Sequence, residues 1–213
     1  MMEDAKKLVK LMGAPVIQAP CEAEAQCAKI VSMGLAFGTA TEDMDALTFG
    51  TNYLLRGFNS KKEPICQIDL ALVLEGFAMT QAEFIDLCIM CGCDYTHTIS
   101  GMGPVTAYKM IKEHGDIEGV LEKVKELNED LKDRDPTKKQ KYVIPEKFLY
   151  EESRELFTNP ETITDKAEIE KELVWDKPNE AGLKEWLVGS KGFTEVKVAN
   201  GIERLGKCQG KKN

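Results

Sequence analysis

Apolar and polar positions follow two rhythms along this chain. Ala5, Leu8, Val9 and Met12 share one helical face and Gly13 fits the cap after it, so a helix is expected over Asp4 to Met12. Ala14-Pro15-Val16-Ile17-Gln18 is short, apolar and partly β-branched, and reads as a buried strand. Pro20 can take the first helical position, opening a helix through about Met33 that Gly34 stops. Leu35 to Ala40 reads as a second buried strand, and Tyr53 to Arg56 and Ile65 to Ile68 as two more. Strand, helix and strand in that order predict a βαβ unit and a largely parallel sheet.

From Asp69 the rhythm turns helical. Asp69 can cap Leu70 to Glu75, and Thr80 can cap Gln81 to Cys91 with Glu83 as its reciprocal partner. Pro104 opens a helix ending near His114 and Gly115, and Asp116 caps another to about Asn128. Residues 129–141 are charged, contain Pro136 and lack an apolar period, so a solvated loop is expected. Later helices are expected over Pro145 to Phe157, Glu180 to Val188 and Thr194 to Leu205, with residues 206–213 as a frayed tail. The first helix starts almost at residue 1 with no secretory pattern before it, which suggests a chain that begins mid-protein.

Composition narrows the class. With 213 residues and 43% hydrophobic content, the chain can bury a core without disulfides or a structural metal. No apolar run approaches the ~18–20 residues that span a bilayer, so no membrane partner is expected. Seven cysteines is an odd count, which suits reduced thiols in an intracellular compartment. Cys88, Cys91, Cys93 and His97 lie close in sequence, but zinc favours ligand pairs on separate knuckles, so core packing is expected for the cysteines. Trp175 and Trp186 likewise read as packing residues rather than base-stacking platforms.

The net charge of −8 argues against a uniformly basic nucleic-acid binder. The acids are unevenly placed: residues 1–110 hold 13 against 8 bases, and residues 111–213 hold 23 against 20. Five acids of the first stretch fall where elements end. Glu22 and Glu24 open a helix, Asp43 and Asp45 follow a strand, and Asp94 follows the apolar helix. Without them the first stretch is neutral, 8 acids to 8 bases. Asp43 and Asp45 face one side only if the backbone between them is extended. Glu22 and Glu24 converge only because they sit at a helix start. Clustered carboxylates stay ionised at neutral pH when a divalent metal compensates them, and all-oxygen donors suit Mg²⁺ or Mn²⁺. Two such ions ~4 Å apart can clamp the attacking and leaving oxygens of a phosphodiester. The spacing equally allows helix-dipole partners at Glu22 and Glu24 and turn formers at Asp43 and Asp45.

Thr98-Ile99-Ser100-Gly101-Met102-Gly103-Pro104 places two glycines around one apolar residue before a helix start. Glycines at 101 and 103 allow positive φ, and free N–H groups with the helix start form an anion nest suited to one DNA phosphate. An ordinary helix–turn–helix connection has the same pattern.

Taken together, Pro20-Cys21-Glu22-Ala23-Glu24-Ala25, Ala40-Thr41-Glu42-Asp43-Met44-Asp45, Gly92-Cys93-Asp94-Tyr95 and Ile99-Ser100-Gly101-Met102-Gly103-Pro104 resemble the flap endonuclease branch of the XPG family in order and spacing. A weaker likeness continues through Val174 to Glu180. The resemblance implies an α/β fold: a partial parallel sheet with flanking helices, a PIN-like 5′-nuclease core, over residues 1–92, then a helix–two-turn–helix and C-terminal helical region over 93–213. It implies a structure-specific 5′ flap endonuclease and 5′–3′ exonuclease of replication and repair, nuclear, using two Mg²⁺ ions with Mn²⁺ as a substitute. Glu22, Glu24, Asp43, Asp45 and Asp94 map onto metal ligands. Gly101, Met102, Gly103, Thr98 and Ile99 map onto the element that binds duplex or flap DNA, where backbone carbonyls would hold K⁺ beside a phosphate. The resemblance also implies an N-terminal half with two further aspartates and a helical arch, and a sliding-clamp motif, none of which is in this sequence. Weak activity of this chain alone is therefore expected. Val105 and Thr106 stand where basic residues are common, and residues 121–141 look like an insertion. The alternative is a non-catalytic module that binds duplex DNA through the hairpin.

Overall fold

The computed structural model describes residues 1–58, 64–135 and 137–209. In chain order the helices and strands are α1 (Met2–Leu11), α2 (Ala23–Ser32), β1 (Thr39–Ala40), α3 (Asp45–Thr48), β2 (Tyr53–Arg56), β3 (Cys66–Asp69), α4 (Leu70–Phe77), α5 (Gln81–Cys91), α6 (Pro104–His114), α7 (Ile117–Arg134), α8 (Tyr150–Thr158), α9 (Lys166–Glu172), α10 (Glu180–Lys184) and α11 (Glu195–Gln209). Chain contacts divide these into two compact units: Ala19–Ile163, and a second joining residues 1–18 to the chain from Thr164 onward. The first unit therefore runs across residue 92. Among the described residues no helix is long and apolar enough to cross a membrane.

In the unit Ala19–Ile163 the fold is α/β, as expected, but the sheet is small and mixed. β1 pairs with β2 in parallel (Thr39↔Leu54, Ala40↔Leu55), and β2 pairs with β3 antiparallel (Leu54↔Ile68). The expected strand over Leu35 to Ala40 is reduced to its last two residues. Phe37 is stacked on Tyr53 with ring centroids 4.8 Å apart, and a Cβ at Gly38 would lie 2.5 Å from the Tyr53 carbonyl oxygen. The backbone there is pressed against β2 rather than laddered with it.

Helix starts follow their local chemistry. The Asp69 carboxylate accepts from the N–H groups of Ala71 and Leu72, and Asp116 accepts from Gly119. Thr80 and Glu83 form a complete capping box. Pro104 stands in the first turn of α6. α5 is buried over most of its circumference, with Phe84, Ile85, Leu87, Ile89 and Met90 all inside. One core cluster gathers α5 to α8, with Ile89, Ile99, Ile111, Val120, Tyr142 and Phe157 in it. A smaller one joins Ala46, Leu47, Leu54, Leu70 and Phe84 beneath the sheet.

The expected loop over 129–141 is corrected over residues 129–134 only; among the described residues, 135 and 137–141 lie outside helices and strands. α7 continues to Arg134, because half-buried Leu127 and Leu131 prolong the stripe begun by Ile117, Val120 and Val124, and Lys123 pairs with Glu126 at 2.9 Å. α8 starts at Tyr150, later than expected. Cys88 packs on the smaller core cluster and burial pushes its thiol well up, but Cys91 is exposed, so core packing holds for only part of that group. All seven cysteines are unpaired.

In the unit containing the chain ends, the expected strand over Ala14 to Gln18 does not form. A strand needs a neighbour to complete its ladder, and among the described residues none pairs with this run. Instead the Gly13 carbonyl accepts from Asp176 N–H at 2.9 Å and Leu11 from Asn179 at 2.8 Å. α9 was not foreseen; Asp165 caps it and only Ile169 is buried on it. α10 passes into a π-helical turn, Glu185–Ser190. Trp175 is exposed rather than packed, while Trp186 lies under the ammonium groups of Lys7 and Lys191 at 5.1 and 5.4 Å. α11 runs through the segment expected to fray as far as Gln209; residues 210–213 lie outside the described residues.

Candidate functional site

Glu24 and Asp45 adjoin buried residues, and Glu22, Asp43 and Asp94 lie within a few residues of them. Glu22 is the residue before α2 and Glu24 lies in its first turn; Ala25 and Gln26, next along, are buried. The Gln26 side chain is a strand-like bracket, accepting from Ile163 N–H at 2.7 Å and donating to the Ile163 carbonyl at 3.4 Å. Asp45 begins α3, whose Ala46 and Leu47 are buried in the smaller cluster. Asp94 follows the end of α5, where Ile89 and Met90 are buried. The carboxylates are thus carried by short polar segments whose flanks cannot move without opening the core.

The backbone between Asp43 and Asp45 is not extended as expected. Met44 is in the right-handed helical region, and an Asx turn forms in which Asp43 Oδ1 accepts from Asp45 N–H at 2.9 Å. Thr41 joins the two sequence-distant pairs: its hydroxyl donates to Glu24 Oε1 at 3.1 Å and accepts from Asp43 N–H at 3.1 Å. Glu42, in the same segment, is engaged elsewhere. It accepts from Gly57 N–H at 2.9 Å and lies 3.6 Å from Arg56.

Electrostatics shows the convergence. The Asp45 carboxyl is pushed up to about 6, first by burial and then by the negative charges of Asp43, Asp94, Glu22 and Glu24. Three segments far apart in sequence therefore aim their charge at one half-buried aspartate. Tyr95, which sequence reasoning did not single out, belongs to the same place. Burial, with Glu22 and Asp45 nearby, raises its phenol, which remains a neutral hydroxyl and hydrogen-bonds to Glu22. Its ring lies edge-on to Phe157 at 5.2 Å, and Phe157 in turn meets Phe49, just beyond α3, at 5.1 Å. Only its position directly after Asp94 hinted at this. The donor set is all oxygen and fits a hard divalent cation. Its spacing is open: among the described residues no three Asp, Glu, His or Cys side chains form a group able to hold a metal ion as they stand.

The hairpin is formed, with changes in detail. Gly101 has φ +87°, and a Cβ there would lie 2.5 Å from the Lys141 carbonyl oxygen, so glycine is required on both counts. Gly103 has φ −91° and open space around it, so positive φ is not its reason. Ile99 and Met102 are buried, whereas Thr98, Gly101 and Gly103 are exposed. Two of the N–H groups expected to face a phosphate are already used. Ser100 donates to Val143 at 2.9 Å and Met102 donates to Ile99 at 3.2 Å. At the α6 start Pro104 has no N–H, and Thr106 and Ala107 already donate to the Gly103 carbonyl at 3.0 and 2.9 Å, so the N–H groups of Gly103 and Val105 are the donors left at this end.

Residues 13–94, which contain every one of the five carboxylates, match the XPG I-region family model. Over 208 residues the chain is 53% identical to flap endonuclease 1-1 of Paramecium tetraurelia, covering 97% of this chain and 52% of that protein. Over residues 13–94 the chain carries the I-region of the XPG family. It spans about half the length of the curated relatives it matches. Among solved XPG-family relatives, flap endonuclease-1 from Methanococcus jannaschii superposes with a TM-score of 0.75 at 25% identity, covering 96% of this chain and 56% of that one. The Holliday junction-resolving enzyme GEN1, solved with product DNA and a Mg²⁺ ion, superposes at 0.71 with 26% identity, covering 96% of this chain and 56% of that one. Further GEN1 structures are described as binding potassium or sodium.

Proposed function

We propose that the intact protein is a structure-specific 5′ nuclease of the flap endonuclease type, hydrolysing DNA phosphodiesters with divalent metal. The observation that carries this reading is the convergence of Glu22, Glu24, Asp43 and Asp94 on Asp45. These five residues would hold two Mg²⁺ ions, or Mn²⁺ in their place, which when bound supply charge neutralisation and activation of water. The chain's own groups prepare that site. Thr41 fixes Glu24 and Asp43 relative to one another, the Asx turn sets Asp45, and the Tyr95 hydroxyl holds Glu22 without adding charge. The hairpin at Thr98, Ile99, Gly101, Met102 and Gly103 would seat the duplex backbone, with K⁺ on its carbonyls as support for a phosphate. Action on flap and duplex DNA in the nucleus, and a sliding-clamp partner for the intact protein, belong to the same proposal and rest on the resemblance of the motifs to the family.

The test is Asp45→Asn in the full-length protein, which should abolish cleavage of a 5′ flap while sparing DNA binding; wild-type turnover by that variant would overturn the assignment. A second reading, a duplex-binding module without catalysis, applies to the 213 residues alone. It is favoured by the absence, among the described residues, of three ligands drawn together.

A further inference from the structure

The hairpin has a feature that its proposed role leaves unexplained. From Thr98 to Thr106 it carries no lysine or arginine, and Val105, beside the helix start, is exposed. Neutral backbone donors can seat one phosphate, but most duplex affinity comes from cations that displace condensed counterions. The charge must come from another segment.

That segment is the limb that returns from α7. Asp135 turns the chain at the end of α7, accepting from Thr137 N–H at 3.1 Å and from its hydroxyl at 2.7 Å. The limb then runs back to the hairpin and pairs with it. Ser100 and Val143 exchange both backbone hydrogen bonds, at 2.9 and 3.0 Å, and buried Tyr142 enters the same core cluster as Ile99 and Met102. Asn128 on α7 grips the limb from the other side. Its amide donates to the Tyr142 carbonyl at 2.7 Å, and its oxygen accepts from the N–H groups of Lys141 and Tyr142 at 3.2 and 3.4 Å. Lys138, Lys139 and Lys141 stand on this limb with no acid between them, all exposed and without an ion pair among the described residues. A groove of about 540 Å³ beside the limb adds Lys125 and Lys132, opposed by Glu129 alone among its charged lining residues.

We propose that the limb 137–143 is an accessory contact strip for the backbone of duplex DNA, supplying the charge the hairpin lacks, with Asn128 as its positioning residue. The inference rests on the reading of the hairpin as a duplex-binding element. The lysines reach phosphates from the limb, and Asn128 acts through the limb by holding it in register with Ser100.

The test is fluorescence anisotropy of a labelled duplex with the 213-residue chain across a salt series. Lys138→Gln with Lys139→Gln should weaken binding several-fold at low salt and make the slope of log affinity against log salt shallower by about 1 to 2 units. Asn128→Ala should flatten the slope in the same direction, and Asn128→Asp, which keeps the acceptor but not the donor, should fall between. Circular dichroism checks that each variant is folded, and the two lysine changes lie on exposed side chains, so the strip is tested even if Asn128→Ala unfolds. Gly103→Val probes the hairpin separately, since a Cβ there meets nothing within 4 Å. If Gly103→Val loses affinity while the lysine pair changes neither affinity nor slope, the strip is refuted and the hairpin reading stands. If the wild-type chain shows no salt-dependent duplex binding, both fail.

Discussion

Arg154 grips Asp86 with two parallel hydrogen bonds, Nε to Oδ1 and Nη2 to Oδ2, each 2.8 Å long. The same guanidinium takes Glu118 at 2.9 and 2.8 Å, and Ile117 N–H adds a further bond to Asp86 at 3.1 Å. One cation thereby ties α8 to α5 and to the first turn of α7. The Asp86 side chain is only 4% exposed, so removing its partner strands a buried charge. Arg154→Met is expected to cost ~3–5 kcal/mol in urea unfolding, and Arg154→Lys to recover only part, because an ammonium cannot match two planar carboxylates at once. Pairing Asp86→Leu with Arg154→Met should recover much of the loss. A single-variant loss below about 1 kcal/mol would mean that Asp86 finds water instead.

Two carboxylates link stability to pH with opposite signs. Arg154 holds Glu118 below its ordinary value of 4.5, so the contribution of that ion pair is complete above 4.5 and is lost as pH falls through the lowered folded value. Asp45 is raised from 3.8 to about 6, so its charge weakens the metal-free fold: the cost is absent below 3.8, grows up to about 6 and is complete above. In chelator, Asp45→Asn should be more stable than wild type at neutral pH and equal to it near pH ~3.5. Mg²⁺ should narrow the neutral gap by stabilising wild type more than the variant. Equal thermal midpoints at neutral pH in chelator would show that neither burial nor the neighbouring carboxylates make the Asp45 charge costly to the fold.

Ala78 closes α4 in the left-handed region, φ +51° and ψ +49°, a conformation that suits glycine. Ala78→Gly is expected to stabilise the chain by ~0.5 kcal/mol, the relief of Cβ strain partly offset by the entropy glycine loses on folding. Unfolding in denaturant measures it. A loss of stability would show that the strain is already relaxed.

For catalysis, the 213-residue chain alone should cut a 5′ flap weakly or not at all in Mg²⁺, consistent with the open spacing of its carboxylates. Efficient cutting, assayed on a labelled flap and abolished by chelator, would show that these five ligands suffice.

Local rules located most of what matters here. Caps at Asp69, Thr80 and Asp116 and the proline at 104 marked helix starts that the structure keeps, since a cap is a bond between near neighbours. The carboxylate motifs were legible as pairs, and their resemblance to the XPG family supplied the chemistry proposed for them. The failures share one cause. Val16 and Ile17 have strand propensity but no neighbouring strand among the described residues, and α7 runs on past Asn128 with half-buried Leu131 continuing the stripe of Leu127, which packs on the core of α5 to α8.

By itself, then, the sequence determined which residues are chemically capable: five acids at element ends, a glycine that must bend, caps that start helices. Tertiary structure alone decided which of them meet. Thr41 bridges Glu24 to Asp43, Tyr95 reaches Glu22, and Asn128 binds the limb 137–143 that braces the hairpin at Ser100. The reason is physical. Caps and turns are satisfied within four or five residues, but convergence of charge and pairing of limbs depend on which apolar faces are buried together.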